Sequence, residues 1–279
     1  MLALSVSEKN EKNVIHLDMA PNSAAYIFTQ SPESDEVAIN DIQEERKKNP
    51  TFDALWRFCD HSMTCKVPSG LKREHMVAVY IYTRMSGEGK VFDKMFNEAV
   101  RRYGATDSIY AENFNFKSFH YLLSTALQKL RVDLGNKPFH TYGVIRKQVW
   151  GVEDATVRLG SFAVSWRNVQ DALGVIDKTQ KTNTMFEITT NYGVPIYCCS
   201  ILPVEFMILI PPYEVFRVGK ISSMEHGTNI QLTGDGLQGT NVKVEKGEGG
   251  KLVVVRSAGA TISALGGLWI LAALVSISV

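Results

Sequence analysis

The pattern of apolar and polar positions divides the chain in two. From about residue 36 to residue 131, apolar residues recur every three or four positions, as on helices with one face turned inward. Val37 and Ile42 begin this stretch, and Phe52, Leu55, Trp56 and Phe58 continue it after a helix start at Pro50-Thr51. Lys72 to Arg84 reads as an apolar helix through His75, Met76, Val79, Tyr80 and Tyr82. Phe92 to Arg102 puts Phe96, Ala99 and Val100 on one face, and Phe116 to Arg131 is the clearest amphipathic helix. Ahead of them, residues 14–20 form a short entry segment.

After Pro138 the period changes. Short β-rich segments alternate with polar turns at Thr141–Ile145, Thr156–Trp166, Thr184–Thr190, Phe206–Ile210, Glu214–Lys220, Asn229–Leu232, Asn241–Lys246 and Lys251–Val255. Helices first and strands second predict an α+β fold: a helical N-terminal part followed by an antiparallel β-rich core, not a doubly wound sheet. The body is expected over residues 14–246, with its helical part at 14–136 and its strand part at 137–246. Residues 247–257 read as a linker. No internal period of 20–50 residues recurs.

Composition changes little in this picture. The 279 residues are 45% hydrophobic and 21% charged with a net charge of +1, so no global field points to nucleic acid. The two ends differ from the body. Residues 258–279 carry no charged side chain and follow Arg256 and the small residues Ser257-Ala258-Gly259-Ala260. That arrangement predicts a glycolipid-anchor signal, hence membrane attachment through a C-terminal lipid, with a transmembrane tail as the competing reading. Residues 1–13 are too short in apolar character for a secretory leader and read as a leader remnant or a truncated start. The cysteines are Cys59, Cys65, Cys198 and Cys199, which permit two disulfides of unfixed pairing. A zinc set from Cys59, His61, Cys65 and His75 lacks paired C-x-x-C spacing, so no metal is expected.

Two glycine-rich stretches fail as phosphate loops. Ser86-Gly87-Glu88-Gly89-Lys90-Val91 lacks a first Gly and a Ser or Thr after the Lys. No G-x-G-x-x-G opens a βαβ unit. Three other places remain. Arg146 closes the first strand after the helical half, and its rigid guanidinium suits a pyrophosphate. Val157 to Trp166 and Val204 to Val218 are strand phrases, the second broken by Pro211-Pro212.

Taken together, these phrases resemble the vertebrate arginine-specific ecto-mono-ADP-ribosyltransferases, relatives of clostridial-type toxins. The likeness runs from Leu17-Asp18-Met19-Ala20-Pro21 to about Lys246. It includes Phe96-Asn97-Glu98-Ala99-Val100-Arg101, Arg158-Leu159-Gly160-Ser161-Phe162-Ala163, Gly193-Val194-Pro195-Ile196 and, most specifically, Leu209-Ile210-Pro211-Pro212-Tyr213-Glu214-Val215-Phe216. The resemblance implies NAD as substrate, an arginine-bearing acceptor protein, the outer face of the plasma membrane, and cleavage of the nicotinamide–ribose bond through an oxocarbenium-like transition state. It assigns Arg146 to the phosphates and Tyr82 to an NAD-contacting position.

Two family motifs depart from expectation. The Ser-x-Ser motif reads Val164-Ser165-Trp166, so both hydroxyl positions are lost and Ser165 falls between them. The Glu-x-Glu motif reads Glu205-Phe206-Met207, so the first Glu stays and Met207 holds the catalytic position. Two residues along a strand is about 6.6–6.8 Å. A misplacement of about 1 Å already lowers rates by about a hundredfold. Arg146, Ser165 and Glu205 are therefore the candidate catalytic set of a weakened transferase, with a silent NAD-binding or surface interaction domain as the alternative.

Overall fold

The computed structural model describes residues 14–82, 84, 87–135, 137–196 and 207–257. In chain order the elements are β1 (Ile15–His16), β2 (Tyr26–Thr29), α1 (Pro32–Lys48), α2 (Pro50–Ser62), α3 (Arg73–Tyr82), α4 (Glu88–Arg102), α5 (Asp107–Asn113) and α6 (Lys117–Asp133). They continue with β3 (Phe139–Ile145), β4 (Val149–Trp150), β5 (Thr156–Arg158), β6 (Ala163–Trp166), α7 (Val169–Leu173), β7 (Asn183–Thr190) and β8 (Val194–Pro195). The last are β9 (Met207–Ile210), β10 (Glu214–Met224), β11 (Gly227–Leu237), β12 (Thr240–Lys246) and β13 (Leu252–Arg256).

Local chemistry sets the helix starts. Ser31 and Asn49 accept hydrogen bonds from the first-turn amides of α1 and α2, each with Pro at the first helical position. The start of α6 has no capping side chain of its own. Glu45 on α1 serves it instead, accepting from the Ser118 and Phe119 amides at 2.6 and 3.3 Å. The α+β class expected from the sequence is the one observed, with two corrections. First, β2 lies inside the helical half but pairs in parallel with β12, so the two halves are stitched together. Second, the eight-stranded sheet, in order β5-β10-β11-β7-β3-β6-β9-β8, is antiparallel except at β11–β7.

The segment Thr156–Trp166, expected as one β-rich run, is two strands placed far apart in that sheet. The break is at Gly160, whose φ of +74° suits glycine, and where an added Cβ would lie 2.9 Å from Ala20. Arg158 fixes the other side of the break. It donates to the carbonyls of Met19, Ala20 and Gln238, tying β5 to the entry segment.

One sheet face packs on the helices. The core between them is aromatic: Phe52 stacks on Phe92 at 4.6 Å, and Phe119 meets Phe92 and Phe96 edge-on at 4.9 Å. Phe96, Ala99 and Val100 are buried, as the helical spacing of α4 requires. Phe162, just ahead of β6, lies 5.7 Å from Phe96 and 5.8 Å from Tyr82, so this core holds α3 and α4 against the sheet. The other face packs separately around Phe186, Ile188, Ile208, Ile210, Phe216 and Val218. Cys59 and Cys65 are not bonded to one another. Cys198, Cys199, residues 1–13, read as a leader remnant or truncated start, and residues 258–279, read as an anchor signal, lie outside the described residues.

Candidate active site

Where α3 and α4 meet the ends of β3 and β6 there is a cleft of about 520 Å³. Its helical side is lined by Tyr82, Arg84, Lys90, Asp93, Asn97 and Arg101. Its strand side is lined by Val144, Ile145, Arg146, Phe162, Ala163, Val164 and Val175. Tyr82, Arg146 and Val164, far apart in sequence, are thereby brought to one place.

Arg146 follows the last residue of β3 and is exposed. Its Nε donates to the Val175 carbonyl at 2.8 Å, which anchors the side chain at the cleft. Tyr82 ends α3 and is buried. Its hydroxyl donates to the Phe162 carbonyl at 3.0 Å, and burial raises the phenol well above its ordinary range, so it stays protonated. The Asn97 amide nitrogen donates to both the Tyr82 hydroxyl, at 2.5 Å, and Asp93 Oδ1, at 2.8 Å. Burial raises the Asp93 carboxyl, while Tyr82 and Arg101 hold it down. Among the described residues, four cations and one carboxylate thus face a single cleft, an arrangement suited to a ligand with more than one negative charge.

The strands beyond the cleft differ in character. Register pairs Trp166 with Met207 and Val164 with Leu209 across β6 and β9, and Tyr142 with Trp166 across β3 and β6. Alternation places Val164, Trp166, Met207 and Leu209 on the helix-facing side of the sheet. Trp166 is 9% exposed and Met207 1% exposed, and both belong to the helix-side core. Val164, Trp166 and Met207, which the resemblance sets at the Ser and Glu motif positions, therefore form an apolar row.

Ser165 is a correction to the candidate set. It lies on the opposite face, fully buried, with its hydroxyl donating to the Ile208 carbonyl at 3.3 Å. The strand period that puts Val164 and Trp166 toward the helices turns Ser165 away. Glu205 lies outside the described residues. The sequence pattern set Lys90 aside with its glycine-rich stretch and did not single out Asp93 or Arg84. The only signal was the polar stripe Asp93, Asn97, Arg101 at four-residue spacing on α4, which reads as a solvated face until the sheet is laid against it.

Glu214 belongs to the support of β9, not to the cleft. It is fully buried and accepts from Thr190 Oγ1 at 2.6 Å and from the Asn191 amide at 2.6 Å. It pins the turn that leads into β8, the edge partner of β9. Burial raises its carboxyl to about 7 against these hydrogen bonds.

Fold and site together define an α+β protein with a cation-lined ligand cleft at the helix–sheet junction. Comparison with known proteins makes the class specific. The family model described as NAD:arginine ADP-ribosyltransferase matches residues 17–239. Erythroblast NAD(P)(+)–arginine ADP-ribosyltransferase of Gallus gallus is 29% identical over 243 residues, covering 84% of this chain and 77% of that protein. GPI-linked NAD(P)(+)–arginine ADP-ribosyltransferase 1 of Mus musculus is 36% identical over 206 residues, covering 71% of this chain and 60% of that protein. The crystal structure of the eukaryotic mono-ADP-ribosyltransferase ART2.2 superposes with a TM-score of 0.65 at 24% identity, covering 82% of this chain and 98% of that one. A mutant of ART2.2 in complex with NAD gives the same score at 25% identity. The chain belongs to the NAD:arginine ADP-ribosyltransferase family, whose members transfer ADP-ribose from NAD to arginine.

Proposed function

We propose that the chain binds NAD in the cleft lined by Tyr82, Asn97 and Arg146, and transfers ADP-ribose to protein arginines far more slowly than a family member with an intact Glu-x-Glu motif. The observation that carries the first part is the convergence of Arg146, Arg84, Lys90 and Arg101 on one cleft with Tyr82. A pyrophosphate is a multiply charged anion, and guanidinium groups recognise it by paired, charge-assisted hydrogen bonds.

The slow transfer follows from the apolar row. Positive charge develops on the ribose as the nicotinamide leaves, and a fixed carboxylate facing that charge lowers the barrier. Position 207 offers a buried thioether in place of a carboxylate. Losing one transition-state stabiliser of this kind raises the barrier by about 3–4 kcal/mol.

Calorimetric titration with NAD tests the binding site. The wild type is expected to bind and Arg146→Ala to bind about tenfold or more weakly. Equal affinities, or no binding by the wild type, would overturn the assignment. Display at the cell surface through a glycolipid is part of the same proposal, supported by the tail composition of residues 258–279 and the GPI-linked mouse relative. Treating intact cells with a phosphatidylinositol-specific phospholipase should release the protein, and retention after treatment would count against a lipid anchor.

A further inference from the structure

A second pocket, of about 550 Å³, lies where the C-terminal end of α6 meets β2 and the turn after β7. None of its lining residues lines the cleft. Arg131 on α6 lies over the Phe139 ring at 5.3 Å, and Phe139 opens β3. Arg146 follows the other end of that strand, so roughly 20 Å separates the two places. The volume falls within the ~300–1,000 Å³ usual for small-molecule sites, and the wall has their character: apolar and aromatic, with a few polar groups converging on it. Ile27, Tyr192, Tyr213 and Leu237 give the apolar part, and Gln128 and Arg131 the polar part.

The state of those two polar side chains points to a ligand. Arg131 is 9% exposed. Its Nη2 donates to the Lys137 carbonyl at 2.7 Å, but its buried Nη1 has no hydrogen-bond partner. Among the described residues no carboxylate forms an ion pair with it, and the guanidinium stays charged at any ordinary pH. Burial weighs against that charge, and Glu214 and Tyr192 act in the opposite direction from further off. A second cation, Arg167, stands over the same Phe139 ring at 5.9 Å. Gln128, one turn back on α6, has its buried Oε1 equally without a partner. A buried donor or acceptor left unpaired costs about 1–3 kcal/mol, and more where a charge is involved. Here an open charged donor and an open acceptor both belong to the wall of one apolar pocket, and a molecule that pairs with them displaces no protein partner.

We infer that this pocket is a second ligand site, separate from the cleft, that takes a small aromatic carboxylate bearing a hydroxyl or amide donor. The carboxylate pairs with Arg131 Nη1, the donor group with Gln128 Oε1, and the ring packs on the half-buried Tyr192 and the buried Tyr213. An inorganic anion would leave the apolar wall uncovered, and an uncharged aromatic compound would leave the guanidinium unpaired. The inference does not depend on NAD binding.

Calorimetric titration with 4-hydroxyphenylacetate tests it on the unaltered protein. The expected result is saturable binding with a Kd below about 1 mM. The uncharged 4-hydroxyphenylacetamide and the non-aromatic octanoate should each bind about tenfold or more weakly, the first for want of the charge on Arg131 and the second for want of a ring on Tyr192. Leu237→Trp, at a half-buried strand end, fills the pocket without touching Arg131. It should abolish binding of the acid while the thermal unfolding midpoint stays near that of the wild type. Arg131→Gln should remove the preference for the acid over its amide. Because it also removes the bond to the Lys137 carbonyl, its loss of fold would leave the decision to Leu237→Trp and the amide. No binding by the wild type, equal binding of acid and amide, equal binding of octanoate, or undiminished binding by Leu237→Trp would each overturn the assignment.

Discussion

The two sides of the site have gone separate ways. The helical wall, with Tyr82, Asp93, Asn97 and Arg101, is polar, hydrogen-bonded and charged, and Arg146 faces it from the strand end. The strand row, Val164, Trp166 and Met207, is apolar, with Trp166 and Met207 buried and Val164 half-buried at the cleft edge. In the proposed function, binding a charged dinucleotide draws on the first wall, and breaking its nicotinamide–ribose bond calls for a carboxylate on the second, where charge would appear in the transition state. A chain can thus keep the ground-state contacts of an enzyme while losing those that act only on the transition state.

The largest expected effect comes from making the second wall polar again. The triple variant Val164→Ser, Trp166→Ser, Met207→Glu should raise NAD-dependent modification of a small guanidino compound by about a hundredfold or more over wild type. Met207→Glu alone should gain little. It would bury a carboxylate against Trp166 and lower stability by several kcal/mol, on the order expected for an unpaired buried charge. If the triple variant folds, binds NAD and still shows no gain, the apolar row is not what limits transfer. Ser165→Ala serves as the control for side: it should leave NAD binding and turnover unchanged, since Ser165 faces the rear of the sheet.

A smaller effect concerns what holds the second wall in place. Burial raises the Glu214 carboxyl to about 7, above the 4.5 of a free glutamate. A carboxyl raised in the folded state lends its full stability below the unfolded value and loses it as pH rises through the folded one. Glu214 should therefore contribute a fall in stability between pH 4.5 and 7, on the order of 3 kcal/mol, that levels off above pH 7. Urea midpoints of wild type and Glu214→Gln across that range check this. A variant with the same pH slope as wild type would show that Glu214 is ionised throughout. Glu45, raised to about 8 by burial at the start of α6, adds a slope of the same sign, so the comparison is between variant and wild type and not between pH values alone.

Much of the fold was legible in the sequence because it rests on short-range periodicity. The spacing of Phe96, Ala99 and Val100 named the buried face of α4, and the change of period after Pro138 marked where strands begin. What escaped were features that depend on distant partners. Tyr26–Thr29 is too short to stand out, and becomes a strand only because β12 lies alongside it. Gly160 ends β5 because Ala20 occupies the space a side chain would need, which no window around Gly160 reveals.

The site divides along the same line. The sequence alone identified the family phrases, placed Arg146 at a strand end, and marked Met207 and Val164 as departures, since motif wording and strand alternation are properties of neighbouring residues. Only the tertiary structure set α4 against β3 and β6, and so turned Asp93 and Asn97 from a solvated stripe into the wall of a cleft. It alone showed Ser165 hydrogen-bonded behind the sheet and Met207 buried beside its cross-strand partner Trp166. The physical reason is range: period and motif act over a few residues, whereas burial, register and a carboxylate's surroundings are fixed by groups that meet only when the chain has folded.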